Sequence, residues 1–397
     1  MLSREEQFQI LFRLWEEGAY DTAFYRKKLA ACGLTGICVD SQEQFKRLPL
    51  ITKEDLRTFS PNERKNCAPE DIISYFTSSG TTGIKTVYAF SQEDKRRQEA
   101  VTRTLYTPLG LGPDDLGLVA VPLGSGNMGH SMIWQYTVMG ASFYCVNSPN
   151  LDEIRFALAN LPVTTVSTLP SLAVSMNDSE EDRAIACNAG VKRLLVGGDA
   201  MSPSRRRSIE RLYKAKCYNS FGMSELFGPI ANECTKQDGM HFCDDTLFIE
   251  VLDPDTLEEV PEGETGIAVY TALWRKGSPL IRYMSDDLIS ISHEPCTCSS
   301  RLPRLYHKGR YSFTCRNHAN RIVSPYDVEQ ILDRFDYEDA YHIDVLKNGT
   351  YTLHLVVESD NHQLLQEELE QLLQGSCTLQ YDQDPLPEYK NKCFYFE

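Results

Sequence analysis

The chain has 397 residues, of which 42% are hydrophobic and 24% charged, a composition that excludes collagenous, coiled-coil and largely disordered proteins. Its 56 acidic residues outnumber the 40 basic ones, for a formal net charge of -16, which argues against nucleic acid as a partner. The 13 cysteines are an odd number and the first residues are charged rather than apolar, so we expect a cytoplasmic protein with reduced thiols, some of them on metal.

Apolar residues recur at helical spacing in residues 4–17, which predicts an amphipathic first helix. From residue 116 apolar runs alternate with helical stretches. The predicted strands are 116–121, 141–146, 163–169 and 191–196, and the predicted helices between them are 152–161 and 202–213. Such alternation is typical of an α/β architecture with a mostly parallel sheet. No window approaches the roughly 20 apolar residues of a membrane span, so we expect no membrane partner.

The pattern changes in the second half of the chain. Residues 247–252 and 266–271 predict a shorter β-rich insert, and residues 296–310 are the best linker candidate. A small α+β unit follows, with helices at 325–335 and 362–373 and strands at 340–346 and 350–358. We therefore predict a large N-terminal α/β domain, residues 1–308, and a small α+β C-terminal domain, residues 309–397.

A run of hydroxyl and glycine residues is the most informative segment. It comprises Ser78, Ser79, Gly80, Thr81, Thr82 and Gly83, with Lys85 nearby. Backbone N–H and side-chain O–H groups in such a run can converge on phosphate oxygens, although surface loops share this composition. Because Ile84 separates Gly83 from Lys85, the run is not a G-x-x-x-x-G-K-[ST] loop, and a Walker-type kinase or ATPase is disfavoured.

The same run resembles the S-S-G-T-T-G signature of adenylate-forming enzymes, and residues 48–57 resemble the lead-in of their phenylacetate–CoA ligase group. Four later segments extend the similarity in the family's order. They are residues 197–200 (G-G-[ED]), 218–225 (Y-G-x-[ST]-E), 281–288 (R-Y-x-x-x-D-[LI]) and 309–310 (G-R). The resemblance spans most of the chain and implies a large AMP-binding domain with mixed and parallel sheets, closed by a C-terminal lid.

The resemblance also implies roles for individual residues. The run from Ser78 to Gly83 would wrap the ATP phosphates, and Phe221 would stack on adenine while Glu225 binds Mg²⁺. Ser224 would contact phosphate or substrate, although Ser224 and Glu225 also suit a helix N-cap with an acidic first turn. The remaining nucleotide contacts would come from Gly198, Asp199, Ala200, Asn219, Gly222 and Met223.

The ribose and α-phosphate contacts fall near the C-terminus. Asp287 would accept hydrogen bonds from the ribose hydroxyls, and Asp286 is the neighbour most easily confused with it. Arg310 would reach the ribose or α-phosphate, and Lys392 (or, failing it, Lys390) would steady the carboxylate during adenylation, although both positions also suit solvated surface. Because the chain is acidic overall, we expect its cations near ATP to be placed locally, at Lys85, Arg282, Arg310 and Lys392.

Three cysteines and a histidine form a candidate metal site: Cys234, His241, Cys296 and Cys298. Three thiolates and one imidazole make a closed structural Zn²⁺ site. Cys243 is the rival fourth ligand, and reduced cysteines beside a surface histidine explain the same residues. Some relatives in the phenylacetate–CoA ligase group carry zinc on a similar arrangement, so the resemblance implies a structural Zn²⁺ that pins the β-rich insert to the main sheet.

The hinge region departs from the family pattern. Ser312 stands where a hinge aspartate is expected, and Asn320, which can adopt a left-handed conformation, replaces a glycine. The resemblance implies ATP-dependent activation of a small carboxylic acid to an acyl-adenylate, followed by transfer to a thiol, CoA or a carrier-protein arm. Residues 124–134 would begin the pocket for an aromatic or otherwise apolar acid.

Alternatives to this function stay open because the hinge serves the second half-reaction. The acyl group could pass to a carrier protein, an amine or another acceptor in place of CoA, or the chain could be a regulator that binds nucleotide without catalysis. A homodimer is the commonest assembly for such a chain.

Overall fold

The computed structural model describes residues 1–78, 85–123, 126–147, 150–198, 201–298, 300–335, 337, 341–356, 361–382 and 394–396. The helices within these ranges are α1 (Arg4–Glu16), α2 (Ala23–Ala31), α3 (Gln42–Lys46), α4 (Lys53–Arg57), α5 (Pro61–Arg64), α6 (Gln92–Tyr106), α7 (Met128–Met139), α8 (Leu151–Asn160), α9 (Pro170–Ser175), α10 (Glu180–Asn188), α11 (Pro203–Tyr213), α12 (Pro325–Arg334) and α13 (His362–Leu373). None of the helices in the described ranges is both long and apolar enough to cross a membrane.

The strands in the same ranges are β1 (Ile72–Thr77), β2 (Val87–Ser91), β3 (Leu116–Val121), β4 (Ser142–Asn147), β5 (Thr165–Thr168), β6 (Arg193–Gly197), β7 (Lys216–Gly222), β8 (Pro229–Glu233), β9 (Met240–Phe242), β10 (Leu247–Leu252), β11 (Gly266–Ala272), β12 (Tyr283–Ser292), β13 (Arg304–Arg310), β14 (Cys315–Arg316), β15 (Ile322–Val323), β16 (Tyr341–Val345), β17 (Tyr351–Leu355), β18 (Cys377–Tyr381) and β19 (Phe394–Phe396). Every strand and helix expected from the sequence pattern is among these elements.

One mixed sheet organises the large part of the chain, in the strand order β10-β11-β12-β13-β9-β8-β7-β6-β5-β3-β4. Strands β7, β6, β5, β3 and β4 pair in parallel, whereas the pairs from β7 across to β10 are antiparallel. The parallel strands are short apolar runs buried between helices, as expected for an α/β sheet. The predicted α/β class is therefore confirmed, and the sheet has the mixed pairing that the resemblance implies.

Two sequence predictions about the second half are wrong. Residues 247–252 and 266–271 are β10 and β11, which continue the main sheet rather than form a separate insert. Residues 304–310, expected within a linker, are β13, which lies between β9 and β12. The sequence pattern reveals that these runs are extended, but their pairing partners lie far away in the chain and leave no local signal.

The N-terminal segment packs on the antiparallel half of the sheet. Helix α1 begins with a capping box, in which Ser3 and Glu6 each accept a hydrogen bond from the other's backbone N–H. Its buried face includes Phe8, whose ring meets the edge of Phe248 in β10 at a centroid distance of 5.0 Å. Ile51 then bridges to the start of β12, which brings the following helix α4 alongside that strand.

The C-terminal residues form a second sheet with its own core. Its strand order is β18-β17-β16-β19, and apolar residues of α12, α13 and these strands make a separate buried cluster. This arrangement confirms the predicted small α+β unit. The boundary between residues 308 and 309 stays a prediction, and it falls near the end of β13.

Candidate functional site

The predicted phosphate loop joins the two strands of the β1–β2 ribbon. Thr77 pairs with Val87, and just beyond them Ser78 donates its N–H to the Thr86 carbonyl at 2.9 Å while its hydroxyl accepts the Thr86 N–H at 3.1 Å. Lys85 is exposed. The other predicted loop residues, Ser79, Gly80, Thr81, Thr82 and Gly83, lie outside the described residues, so their role stays a prediction.

Glu225, predicted to bind Mg²⁺, lies in an enclosed polar cluster, with a side chain that is 7% exposed. Its Oε1 accepts hydrogen bonds from the hydroxyls of Tyr88 and Tyr283, both at 3.2 Å, and lies 3.4 Å from Lys53 Nζ. Burial, reinforced by the Glu225 charge, raises the pKa of both tyrosines, which therefore remain protonated donors. All three of these contacts use Oε1, which leaves Oε2 available to a cation.

A tight turn holds Glu225 in this position. Residues Ser224–Leu226 form one 3₁₀ turn after β7, and a Cβ on Gly222 would lie 2.4 Å from the Gly228 carbonyl oxygen, so only glycine fits there. Phe227 then adopts a left-handed φ of 56°, and its ring stacks on that of Phe90 at 3.8 Å. Met223, not Ser224, precedes the turn and makes no capping bond, so the N-cap alternative for Ser224 is wrong.

Ser224 faces the start of helix α7. Its hydroxyl donates to Asn127 Oδ1 at 3.4 Å. Asn127 is buried, and its Nδ2 has no hydrogen-bond partner among the described residues. A buried amide donor without a partner is costly to the fold, and it points to a ligand oxygen as the group that completes this position.

Asp287 belongs to a second polar array at the ends of β12 and β13. Its Oδ1 lies 3.2 Å from His307 Nε2, and Arg310 is its cross-strand partner. Burial opposes ionisation of Asp287, but the hydrogen bond from His307 and the charges of His307 and Arg310 outweigh it and lower the pKa of Asp287. The Phe221 ring lies 4.9 Å from the His307 ring, so an ionised acceptor and an aromatic face occur together.

Asp286 makes different contacts from its neighbour. Its two oxygens accept hydrogen bonds from the backbone N–H of Ser312 at 2.9 Å and from the Ser312 hydroxyl at 2.5 Å. Successive side chains of a strand point to opposite faces, which explains why Asp287 joins the His307 array and Asp286 contacts the hinge region. Asn320 has the left-handed φ that the sequence suggested, at 63°.

The predicted G-G-D turn lies at the carboxyl ends of the parallel strands, where open α/β sheets bind ligands. A Cβ on Gly197 would lie 2.4 Å from the Ser220 carbonyl oxygen, so β6 and β7 approach closely because this residue is glycine. Gly198 has a φ of 90°. Asn219, in the neighbouring strand, donates its N–H to Glu233 at 2.8 Å. Asp199 and Ala200 lie outside the described residues, as do Lys390 and Lys392.

Arg282 is not one of the cations near the site, contrary to expectation. Its guanidinium makes two hydrogen bonds to Glu250, at 3.0 and 3.1 Å, and donates to the carbonyls of Lys46 and Leu48. The residue is 6% exposed. Arg282 therefore ties the N-terminal segment to β10. The R-Y motif does not indicate the pairing of Arg282 with Glu250, because Glu250 lies outside the motif and far from it in sequence.

The four predicted metal ligands come together. Cys234 Sγ lies 3.8 Å from Cys296 Sγ, and Cys298 Sγ lies 3.3 Å from His241 Nε2; all four donor atoms are within 4.8 Å of one another. The carbonyl of Leu302 lies 3.0 Å from His241 Nδ1, and such an acceptor orients the imidazole so that Nε2 faces the three cysteines. Tetrahedral ligands of zinc are roughly 3.3–3.8 Å apart, so the donor set fits that ion.

The rival ligand Cys243 lies elsewhere, in an apolar core, where burial raises the pKa of its thiol to about 12. The cluster also connects elements of one sheet. Cys234 follows β8, His241 is in β9, and Cys296 and Cys298 precede β13. The expected link between an insert and the main sheet is therefore wrong, since no separate insert exists in the described part of the chain.

Four residues of the site were not predicted: Lys53, Tyr88, Tyr283 and His307. Lys53 and Tyr283 lie inside the segments that carry the family resemblance, so a closer comparison could have found them. Tyr88 and His307 carry no motif. A small open pocket of about 60 Å³ beside α6 is lined by Phe90, Trp274 and other residues, but by none of residues 126–134, the described part of the stretch 124–134 where the acid pocket was expected to begin.

Comparison with known proteins places these observations in a family. The family model described as "AMP-binding enzyme" matches residues 16–272. A phenylacetate-coenzyme A ligase of Thermus thermophilus is 28% identical over 279 residues, which cover 69% of this chain and 62% of that protein. The enzyme of the same name from Pseudomonas putida is 25% identical over 335 residues, covering 83% and 76%.

Solved structures share the fold. A 2-hydroxyisobutyryl-CoA ligase in the postadenylation state, in complex with 2-HIB-AMP, superposes with a TM-score of 0.82 at 20% identity, covering 99% of this chain and 89% of that one. The same ligase in the thioesterification state, with 2-HIB-AMP and CoA, superposes with a TM-score of 0.71 at 23% identity, covering 100% and 91%. At this level of identity the likeness establishes the fold alone.

Proposed function

Since the chain belongs to the family of AMP-binding enzymes, we propose that it activates a carboxylic acid with ATP and transfers the acyl group to CoA. An oxygen of the acid attacks the α-phosphorus of ATP and pyrophosphate leaves, which gives an acyl-adenylate. The CoA thiol then attacks the acyl carbon and AMP leaves. The observation that carries this proposal is the enclosed Glu225 carboxylate. It accepts a hydrogen bond from Tyr88, a residue of the strand that directly follows the predicted phosphate loop.

The roles of the described residues follow from their contacts. Glu225 would hold Mg²⁺ through Oε2, because Mg²⁺ binds one or two carboxylates together with substrate phosphates; the ion would neutralise charge on the phosphates. The ionised Asp287 would accept hydrogen bonds from the ribose hydroxyls, and Phe221 would lie against adenine. Arg310, across from Asp287, would reach the α-phosphate. Positioning and charge stabilisation suffice for chemistry of this kind.

The acid would bind near Ser224 and Asn127. The unpartnered Asn127 Nδ2 is a donor suited to a carboxylate oxygen, and an aromatic or otherwise apolar acid agrees with the names of the phenylacetate relatives. Lys392 would steady this carboxylate from the C-terminal segment. A carrier-protein acceptor and a homodimer are further proposals.

Ser312 motivates a second candidate function, in which the acyl group goes to an acceptor other than CoA. The residue stands at the expected hinge aspartate and binds Asp286. The two candidates share adenylation and differ in the acceptor.

An ATP–pyrophosphate exchange screen over aromatic, aliphatic and amino acids tests the function. We expect exchange with at least one apolar acid, and formation of its thioester when CoA is added. The Glu225→Gln variant serves as the inactive control. Exchange without thioester would favour the other acceptors, whereas no exchange with any acid would leave only the nucleotide-binding regulator.

We propose further that Cys234, His241, Cys296 and Cys298 hold a structural Zn²⁺ that joins β8 and β9 to the loop before β13. Metal analysis of the undegraded, purified protein should find about one equivalent of zinc at the four-ligand set, and Cys296→Ser should lose it. Cys243→Ser is the matched control and should retain the metal. Less than half an equivalent in the unaltered protein would exclude the site.

A further inference from the structure

The C-terminal sheet carries a cluster of titratable side chains that the proposed ligase function does not use. His342 and Asp344 alternate along β16, and His354 is the cross-strand partner of His342 on β17. The two imidazole rings are stacked, with centroids 4.1 Å apart and planes 13° from parallel. Their neighbours Ile343 and Leu353 are buried in the C-terminal core, so the cluster occupies the opposite face of the sheet.

Donor atoms of these three side chains converge. Asp344 Oδ2 lies 3.1 Å from His354 Nε2, and Asp344 Oδ1 lies 3.8 Å from His342 Nε2. One donor atom from each residue lies within 4.8 Å of the other two. Nitrogen and oxygen ligands of one ion are roughly 3.0–3.4 Å apart, so small side-chain adjustments would complete the set. The side chains of His342 and His354 are 22% and 11% exposed, which leaves a path for an ion.

Asp382 supplies the partner that a metal-binding histidine needs. Its Oδ2 lies 2.9 Å from His354 Nδ1, so a neutral His354 carries its proton on Nδ1. Its Nε2 lone pair then faces the Asp344 carboxylate, and two acceptors at 3.1 Å repel each other unless a positive charge lies between them. Metal-bound histidines almost always donate their second N–H to a carboxylate or carbonyl in this way.

We propose that His342, Asp344 and His354 bind a divalent transition-metal ion such as Zn²⁺, and that Asp382 orients His354. Imidazole ligands favour Zn²⁺, Co²⁺ and Ni²⁺ over Mg²⁺ and Ca²⁺. Three protein ligands leave the remaining coordination positions to water. The ion would join β16 to β17 on the outer face of the small sheet. This site is separate from the cysteine cluster and does not depend on the ligase function.

Equilibrium dialysis of the full-length protein against Zn²⁺ tests the site. We expect the unaltered chain to take up one ion more than His342→Ala, and Cys296→Ser to lose a different ion while retaining this one. His293→Ala removes a surface histidine that pairs with Glu262 and serves as the matched control with unchanged uptake. Excess Mg²⁺ should not displace the ion. Co²⁺ bound at the new site should lack the intense thiolate-to-metal absorption band that Co²⁺ bound at the cysteine cluster should show.

Asp382→Asn tests the orienting role and keeps all three ligands, so it serves if a histidine variant fails to fold. We expect its affinity for Zn²⁺ to fall by about 10–100-fold. Equal uptake by the unaltered chain and His342→Ala would overturn the proposal.

Discussion

At the scale of single residues, Glu225 is the side chain on which the proposed adenylation depends most. Glu225→Gln keeps the shape and the hydrogen bonds from Tyr88 and Tyr283 but removes the charge that holds Mg²⁺. Because a metal ion contributes several kcal/mol of transition-state stabilisation, we expect kcat/KM for pyrophosphate exchange to fall by about 10²-fold or more. Steady-state exchange kinetics with varied Mg²⁺ measure this.

Tyr88→Phe is the control for that change. It removes one hydrogen bond to Glu225 and leaves the carboxylate charged, so the expected loss is about tenfold, the value of one bond to a charged group. Equal losses in the two variants would mean that Glu225 acts through the tyrosine network rather than through a cation.

Adjacent carboxylates offer a matched comparison for the nucleotide. Asp287→Asn should weaken ATP binding by about 10–100-fold, because hydrogen bonds to a charged acceptor contribute roughly 1.5–3 kcal/mol. Asp286→Asn should leave the KM for ATP nearly unchanged, since its partner is Ser312. Exchange kinetics and AMP binding measure both variants. A larger effect of Asp286→Asn on ATP binding would exchange the two assignments.

The sequence offered candidates for the chemistry more readily than it offered the residues that contact them. Glu225 and Asp287 lie in motifs, so their roles could be proposed from short strings. Tyr88 and His307 reach them from distant strands, and no short string records such contacts. The cysteine cluster was predictable because ligand chemistry restricts its residue types. Only the fold showed that Cys243 lies in an apolar core, away from the four predicted metal ligands.

At the scale of secondary-structure elements, the buried pair of Arg282 and Glu250 joins the N-terminal segment to the antiparallel strands. Glu250→Gln leaves the Arg282 charge buried without a counterion, and losing one partner of such a pair costs about 3–5 kcal/mol. We expect urea unfolding to show a loss of that size. Glu259→Gln, in an exposed pair with Arg4, is the control and should change the free energy of unfolding by about 1 kcal/mol or less.

Elements differed in how readily the sequence revealed them. The parallel strands β3, β5 and β6 are apolar runs separated by helices, so both their existence and their parallel pairing followed from periodicity. The position of β13 could not be inferred from periodicity, because β13 pairs with the short β9 and the long β12. Pairing between strands distant in sequence is decided by the core that forms between them rather than by local preference.

At the scale of the whole molecule, one contact between the C-terminal unit and the large part of the chain is the exposed pair of Arg316 and Asp255. Arg316 makes two hydrogen bonds to Asp255, at 2.7 and 2.8 Å. Because exposed pairs contribute roughly 0.2–1 kcal/mol, Asp255→Asn should change the ratio of thioester formation to pyrophosphate exchange by at most about fivefold. Rapid-quench measurement of both half-reactions would show it.

Asp21→Asn is the control for Asp255→Asn, because it breaks another exposed pair, Arg26–Asp21. It should leave the ratio of thioester formation to pyrophosphate exchange unchanged. A change of 100-fold in Asp255→Asn would contradict the expectation of a weak contact. It would indicate that this pair holds the unit in place by itself.

The core beneath the N-terminal helices has a consequence for synthesis on the ribosome. That core joins Phe8, Leu11 and Phe45 to strands as late as β12 and β13, and Ile51 pairs with Tyr283. At about 5–20 residues per second, the partner strands emerge roughly 10–50 s after the first helices. For that time the apolar faces of α1 and α2 lack the strands that cover them in the folded protein. The apolar residues of α1 and α2 are thus completed in their core only after a long stretch of later chain has been made, and nascent chains of this protein should depend on chaperones until β12 leaves the exit tunnel.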